Sequence, residues 1–285
     1  MFWRDCAQIG VKSMSRLRDM KRNIVLQAGM VIDKRANLSQ VRELISTLRP
    51  EPQSLVRIGP DSDGGYLAPD DLDGVVACLS PGVSTECGFD LMLAERGIDI
   101  FMADASVTGP PTPHPRFYFT PSYIEPFNGQ QSMTFERFAD MAHLAHPVGD
   151  WLLQMDIEGA EWRVLLSAPE KYLARCRLLI IEFHDLNRVF QASHFDLMAS
   201  VFKRLLNDFR LVHIHPNNVS KVSAVGDIVI PSIMEFTFHR RDRPFVPAHA
   251  PVYPHQLDRD CVSEKPTLVL PRIWRTAERR IHLDG

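Results

Sequence analysis

Two apolar runs in this sequence end in residues that can bind cations or move protons. Trp151 to Arg163 reads WLLQMDIEGAEWR, so an apolar lead-in delivers Asp156, then Glu158, Gly159 and Glu161. Leu178 to Phe183 reads LLIIEF and brings Glu182, His184 and Asp185 to its end. A short apolar run ending in charge beside a glycine has the form of a buried parallel strand at its carboxyl end. In open α/β sheets that edge is where ligands bind. If the two runs are neighbouring strands, Asp156 lies beside Glu182 and His184. Two carboxylates and an imidazole can hold a divalent cation such as magnesium or manganese, which acidifies a hydroxyl and orients a vicinal diol. Without metal, a histidine can act as general base. The structural alternatives are plain: Asp156 caps a helix, Glu182 pairs with an arginine, and His184 is a satisfied loop histidine. Further on, His213 and His215 share one face of a strand, followed by Asn217 and Asn218. Packing explains such a pair; a general-base or substrate-binding loop built on His215 is the functional reading.

The elements that must carry these residues alternate. Val75 to Ser80 reads as a first buried strand, Pro81-Gly82-Val83-Ser84 as a tight turn, and Thr85 to Arg96 as a helix ended by Gly97. Ile98 to Ala103 is a second strand with Asp104 at its tip. Strand, glycine turn, helix, strand and acid form the βαβ unit in which a helix N-terminus faces a cofactor and the acid takes a ribose diol. Gly82, Glu86 and Asp104 are therefore the candidate cofactor contacts. A nicotinamide cofactor would require G-x-G-x-x-G to cradle its pyrophosphate, and this turn has one glycine and a proline. A ribose-containing cofactor without phosphates fits better, and S-adenosylmethionine has that chemistry. Arg116 to Thr120, the 151 and 178 runs, Phe209 to Ile214 and Ile233 to His239 supply further strands. Helices are expected at 134–144, near 160–168, and at 194–207, so the fold class is α/β.

At 285 residues, 45% hydrophobic and 24% charged, the composition allows one large α/β domain with appendages. The net charge of -3 gives no general case for nucleic acid. Five scattered cysteines without a CxxC pair fit a reducing compartment. No secretory signal and no membrane span are read, so the expected location is cytoplasmic. Residues 1–49 are expected to form a basic, helical N-terminal extension that packs on the domain or on a second copy of the chain, which would make a homo-oligomer. Residues 50–240 form the main domain, and 241–285 an irregular, proline-rich tail. Within the main domain, Asp61-Ser62-Asp63 matches the D-x-D of metal-dependent glycosyltransferases, although a β-turn accounts for it equally well. Gly64 and Gly65 after it permit close backbone approach to a ligand.

With these residues in hand, the sequence resembles the FkbM-type methyltransferases and their relatives with a D-G-G-Y segment. The matching stretches are RIGPDSDGGYLAPDDL (57–72), LSPGVSTECGFDLMLAERGIDIFMADAS (79–106), LQMDIEGAEWRVL (153–165), LIIEFH (179–184), HIHPNN (213–218) and IMEFTF (233–238). The resemblance implies a class I, Rossmann-like sheet, mostly parallel with an antiparallel strand near the C-terminal end. It also implies S-adenosylmethionine-dependent O-methylation of a sugar, a glycan or a glycosylated natural product. By the family pattern Gly82 and Asp104 contact the cofactor and Asp156 stands at the active edge. Many members carry D-x-G-A-N-x-G after the first strand, where this chain has Ser80-Pro81-Gly82-Val83-Ser84; residues 61–66, through Gly64 and Gly65, are candidates to compensate. A metal-dependent glycosyltransferase using Asp61 and Asp63, or a non-catalytic methyltransferase-like binding module, are the competing readings.

Overall fold

The computed structural model describes residue 27 and residues 33–83, 85–249 and 252–275. Helix α1 (Leu38–Thr47) is capped by the Asn37 side chain, which accepts from the Ser39 N–H at 2.9 Å, and it buries Val41 and Ile45. A short antiparallel hairpin follows, β1 (Val56–Ile58) and β2 (Tyr66–Ala68). Then come β3 (Val75–Pro81), α2 (Gly88–Glu95), β4 (Asp99–Ala103) and β5 (Phe117–Thr120). A small parallel pair, β6 (Tyr123–Glu125) and β7 (Ser132–Thr134), leads into α3 (Phe135–Ala145). The chain continues through β8 (Asp150–Met155), α4 (Glu161–Ser167), α5 (Glu170–Leu173), β9 (Cys176–Phe183) and α6 (Ala192–Asp208). It closes with β10 (Phe209–Pro216), the hairpin β11 (Val222–Val225) and β12 (Ile228–Pro231), β13 (Met234–Arg240) and a last turn of helix, α7 (Arg272–Arg275).

Seven strands form one sheet in the order β10-β13-β9-β8-β3-β4-β5. Strands β5, β4, β3, β8 and β9 run parallel, while β13 is antiparallel to both β9 and β10. This is the mostly parallel, Rossmann-like sheet expected from the alternating elements. The chain lays β4 and β5 to one side of β3 and returns to place β8 and β9 on the other. The topological switch therefore falls between β3 and β8, and a crevice opens beyond their carboxyl ends. Every residue of β9, CRLLIIEF, is buried, as a strand covered on both faces requires.

Helices cover the sheet unequally. One face packs on α1, α3, α4 and α6, where Val201, Phe202 and Leu205 make the buried stripe of α6. The other face is covered by α2 and the β1–β2 hairpin through Ile58, Tyr66, Phe89 and Leu93. Helix α2 starts at Gly88, three residues later than the sequence pattern implies, because residues 85–87 remain a turn and Pro60 of the hairpin packs against Gly88. The two short hairpins carry too few residues for an alternating pattern to be read. Residues 1–26 and 28–32, which hold most of the anticipated basic extension, lie outside the described residues. Helix α1, the part that is described, belongs to the main core. At the other end Trp274 is 2% exposed, meets the ring of Phe236 edge-on at 6.2 Å, and donates its indole N–H to the Val229 carbonyl. Trp274→Ala should therefore cost about 3–5 kcal/mol of unfolding free energy in urea titrations, the range for a truncated core tryptophan; a loss near zero would show that residues 270–275 merely rest on the surface.

Candidate active site at the switch point

Registers carry polar residues to one edge of the sheet. Met155 pairs with Ile181, so Asp156, next after β8, lies beside Glu182 of β9. Because β13 is antiparallel it begins at this edge, and Glu235 pairs with Glu182. His215 of β10 pairs in turn with Glu235. Asp156, Glu182, Glu235 and His215 thus form a row across four adjacent strands. In front of β3 and β8 lies a cavity of about 350 Å³. Its lining includes Gly64 and Gly82 and the acids Asp63, Glu86, Asp90, Asp156, Glu158 and Glu182, with His184 among them.

The turn after β8 is held from inside by one carboxylate. Glu158 and Gly159 both have positive φ, 54° and 98°, a backbone path with no regular hydrogen-bond ladder. Glu161, the first residue of α4, is fully buried and turns back to accept from the Ile157 N–H (3.0 Å) and the Gly159 N–H (3.1 Å). Its Oε1 also lies 3.2 Å from His184 Nδ1, which fixes the imidazole and aims Nε2 outward. Nε2 then faces Glu158 Oε2 at 3.3 Å, Glu182 Oε1 at 3.8 Å and Asp156 Oδ1 at 3.9 Å. Trp162 secures the same residue from behind, donating its indole N–H to the His184 carbonyl at 2.7 Å.

Burial and like charge set the protonation of this group. Desolvation pushes Asp156 up to about 7; His184 pulls it down, while Glu158, Glu161 and Glu235 push it further up. One of its oxygens, Oδ1, is buried without a hydrogen-bond partner. Glu182 rises to about 8, first by burial and then by the Asp156 charge, against His184 and the 3.1 Å hydrogen bond from Asn217 Nδ2. For His184 burial works against the charge, but the Glu161 hydrogen bond and the Glu161, Asp156 and Glu182 carboxylates outweigh it and lift the imidazole to about 9. Near neutral pH the site is an imidazolium among carboxyls that share protons. Asp156, Glu161 and His184 offer ligand atoms within 4.8 Å of one another, but the Glu161 oxygens are already occupied by three N–H donors.

The floor is polar where the sheet is otherwise apolar. Ser80 Oγ donates to Gln154 Oε1 at 3.1 Å, and Gln154 Nε2 donates to the Tyr66 hydroxyl at 3.2 Å. On the far side the C-terminal segment is tied to β10: Asp258 lies 2.9 Å from His213 Nε2 and 3.3 Å from His215 Nδ1, and accepts the His255 N–H at 2.7 Å. Asn218 binds the Val262 backbone in both directions, and Cys261 between these anchors forms part of the cavity wall.

Gly64, Gly82, Glu86, Asp156, Glu182 and His184, all singled out from sequence, line this one cavity. Gly82 has a second reason to be glycine: at φ 98° an added Cβ would collide with the Asp156 carbonyl where the β3 and β8 tips meet. Gly65 lies off the cavity, and its Cβ would collide with Pro60 of its own hairpin. Asp104 stands at the β4 tip beside Gly82, whose N–H donates to the Ala103 carbonyl at 3.0 Å. Its Oδ1 accepts from the Ser106 N–H and hydroxyl, both at 2.6 Å, and it does not line the cavity. His215 also lies off the cavity, buried behind Glu235, with Nδ1 out of hydrogen-bond alignment to Asp258. Asp61 and Asp63 part company: Asp61 pairs with Arg259 at 2.7 Å, whereas Asp63 faces the cavity. Sequence patterns missed Tyr66, Asp90, Gln154 and the inward turn of Glu161. Gln154 did leave a signal, a polar residue on the Asp156 side of an otherwise apolar strand.

Residues 129–210 match the model of the methyltransferase FkbM domain. That stretch is similar to an FkbM-type methyltransferase domain. The matched stretch runs from ahead of β7 to the start of β10 and contains Asp156, Glu161, Glu182 and His184. No curated protein matches the chain. Among the described residues no helix is long and apolar enough to cross a membrane. Within the matched stretch, Glu161→Gln replaces an acceptor of three N–H groups by a mixed donor and acceptor. The variant should lose about 1–3 kcal/mol of stability, the penalty for unsatisfied buried groups, and the His184 imidazole should titrate at least about one unit lower by NMR. An unchanged His184 titration would remove Glu161 from control of the site.

Proposed function

We propose that this methyltransferase moves a methyl group from S-adenosylmethionine to a hydroxyl of a sugar, a glycan or a glycosylated natural product. The observation that carries the reading is Asp156: a carboxyl at the switch point, facing a cavity, with one unpartnered oxygen and a proton affinity matched to neutral pH. The lining supports a cationic donor, since Asp63, Glu86, Asp90, Asp156, Glu158 and Glu182 stand against His184 as the one basic side chain among its described residues. When bound, S-adenosylmethionine supplies an activated methyl on a sulfonium. Asp104 would hold the ribose diol, and Gly82, in the cavity lining, would leave room for the donor beside it. Asp156 accepts the hydroxyl proton of the acceptor. His184, held as an imidazolium by Glu161, draws Asp156 and Glu182 to one side of the cavity, and Glu182 orients the acceptor. His215 acts through Glu235 rather than by touching the acceptor.

A second version of the same chemistry uses Asp156, Glu182 and His184 to hold a divalent cation, magnesium or manganese, with the acceptor diol on it. The nearness of Asp156 Oδ1 and Glu182 Oε1 to His184 Nε2, at 3.9 Å and 3.8 Å, is the observation that favours it. The glycosyltransferase reading is weakened by the pairing of Asp61 with Arg259. A binding module without turnover would bind the donor and methylate none of a panel of hydroxylated acceptors.

Calorimetry should detect S-adenosylmethionine binding that Asp104→Ala weakens; equal affinity in the variant removes the ribose assignment. Asp156→Asn should lower kcat by about 10²–10⁴, the contribution of a positioned general base. A base whose proton affinity is raised must lose its proton to act, so the wild-type rate should climb as pH rises through about 7, and the variant should lack that limb. Full activity in a chelator excludes the metal version; activity restored by magnesium or manganese supports it.

A further inference from the structure

One buried acid of the cavity lining has no part in the chemistry above. Asp90 lies in the first turn of α2 on its buried face, between Phe89 and Leu93, and is 7% exposed. Its Oδ1 is buried with no hydrogen-bond partner, while the carboxyl lies against the Ser80 hydroxyl. The side chain forms part of the cavity wall, with Gly82, Gly88 and Tyr66 around it. A desolvated, half-satisfied carboxyl on the apolar face of a helix is a standing cost to the fold. Burial pushes it up to about 7, with the Ser80 hydroxyl pulling the other way. Where a residue breaks the local pattern without a compensating contact, a ligand is the natural partner.

We propose that Asp90 receives the α-ammonium group of the methyl donor. This rests on the reading of the cavity as a donor site. Asp90 belongs to the β3–α2 connection, together with Gly82, and not to the β8 and β9 tips where the acceptor chemistry is placed. The donor carries two cationic centres, the sulfonium and the α-ammonium, joined through a short carbon chain. A donor whose methyl faced Asp156 would need an acceptor for its α-ammonium elsewhere in the lining, and Asp90, against Ser80 of β3, offers one. Among the described residues Asp90 is the lining acid that is both buried and left with a free oxygen; Asp63 and Glu86 are exposed.

The test compares two probes by calorimetry: S-adenosylhomocysteine, and its analogue with hydrogen in place of the α-ammonium. The wild-type domain should bind the first at least about tenfold more tightly, the worth of one hydrogen bond to a charged group. In Asp90→Asn the gap should shrink below about threefold, with the des-amino probe bound as by wild type. A gap that survives the substitution overturns the proposal. So does a gap that survives while the variant raises KM for an amino-bearing acceptor, because the ammonium would then be the acceptor's. Binding of neither probe by the wild-type domain sinks the donor reading itself, and this assignment with it. The unliganded variant should also melt above wild type at pH 8, where the buried carboxyl is ionised, and show a smaller difference at pH 5; a lower melting temperature at pH 8 assigns Asp90 to the scaffold instead.

Discussion

The fully buried carboxylate of Glu161 is the interaction on which the rest of the site depends. A charge without solvent is tolerated only when its acceptor sites are filled, and here two backbone N–H groups and one imidazole fill them. The same three contacts do separate jobs. Two of them pin a turn whose Glu158 and Gly159 take left-handed backbone angles, and so set where Asp156 leaves β8. The third gives His184 its orientation and its positive charge. Without it the carboxyls at the β8 and β9 tips would face one another with no cation between them.

Sheet topology then determines which groups can cooperate. Because β13 enters antiparallel, its first residues share an edge with the last residues of β9, and Glu235 is brought against Glu182. A parallel strand in that place would have put its starting residues at the opposite edge. The acidity of the row is thus a product of strand direction as much as of composition. Burial first, and the neighbouring carboxylates after it, lift Asp156 and Glu182 into the range where a carboxyl can exchange protons at neutral pH.

The legible parts of the fold were those written as long apolar runs. Strands β3, β4, β8 and β9 are buried on both faces, so their sequences show uninterrupted hydrophobicity followed by a polar tip, and Asp156, Glu182 and His184 are those tips. The hairpin of β1 and β2 has three-residue strands, too short for any period to show. Glu161 reads as an ordinary acid at a helix start because its inward turn depends on the left-handed backbone of Glu158 and Gly159, and a glutamate at 158 does not announce that conformation. Asp90 hides within an apolar stripe. His213 and His215 read as a packing pair, with a general-base loop as the functional alternative; both lie against Asp258, in a proline-rich stretch with no pattern to announce it.

That last attachment bears on how the molecule is made. The cavity wall takes Glu86 and Asp90 from one part of the chain, Asp156 and Glu182 from another, and Cys261 from a third close to its end. During synthesis the parallel strands emerge and can pair long before Cys261 leaves the ribosome. A nascent chain can therefore own its sheet and its reactive carboxyls while the chamber stands open on one side. Only when Asp258 reaches His213 is that stretch of wall in place, so the order of translation separates acquiring the sheet from completing the wall of the cavity.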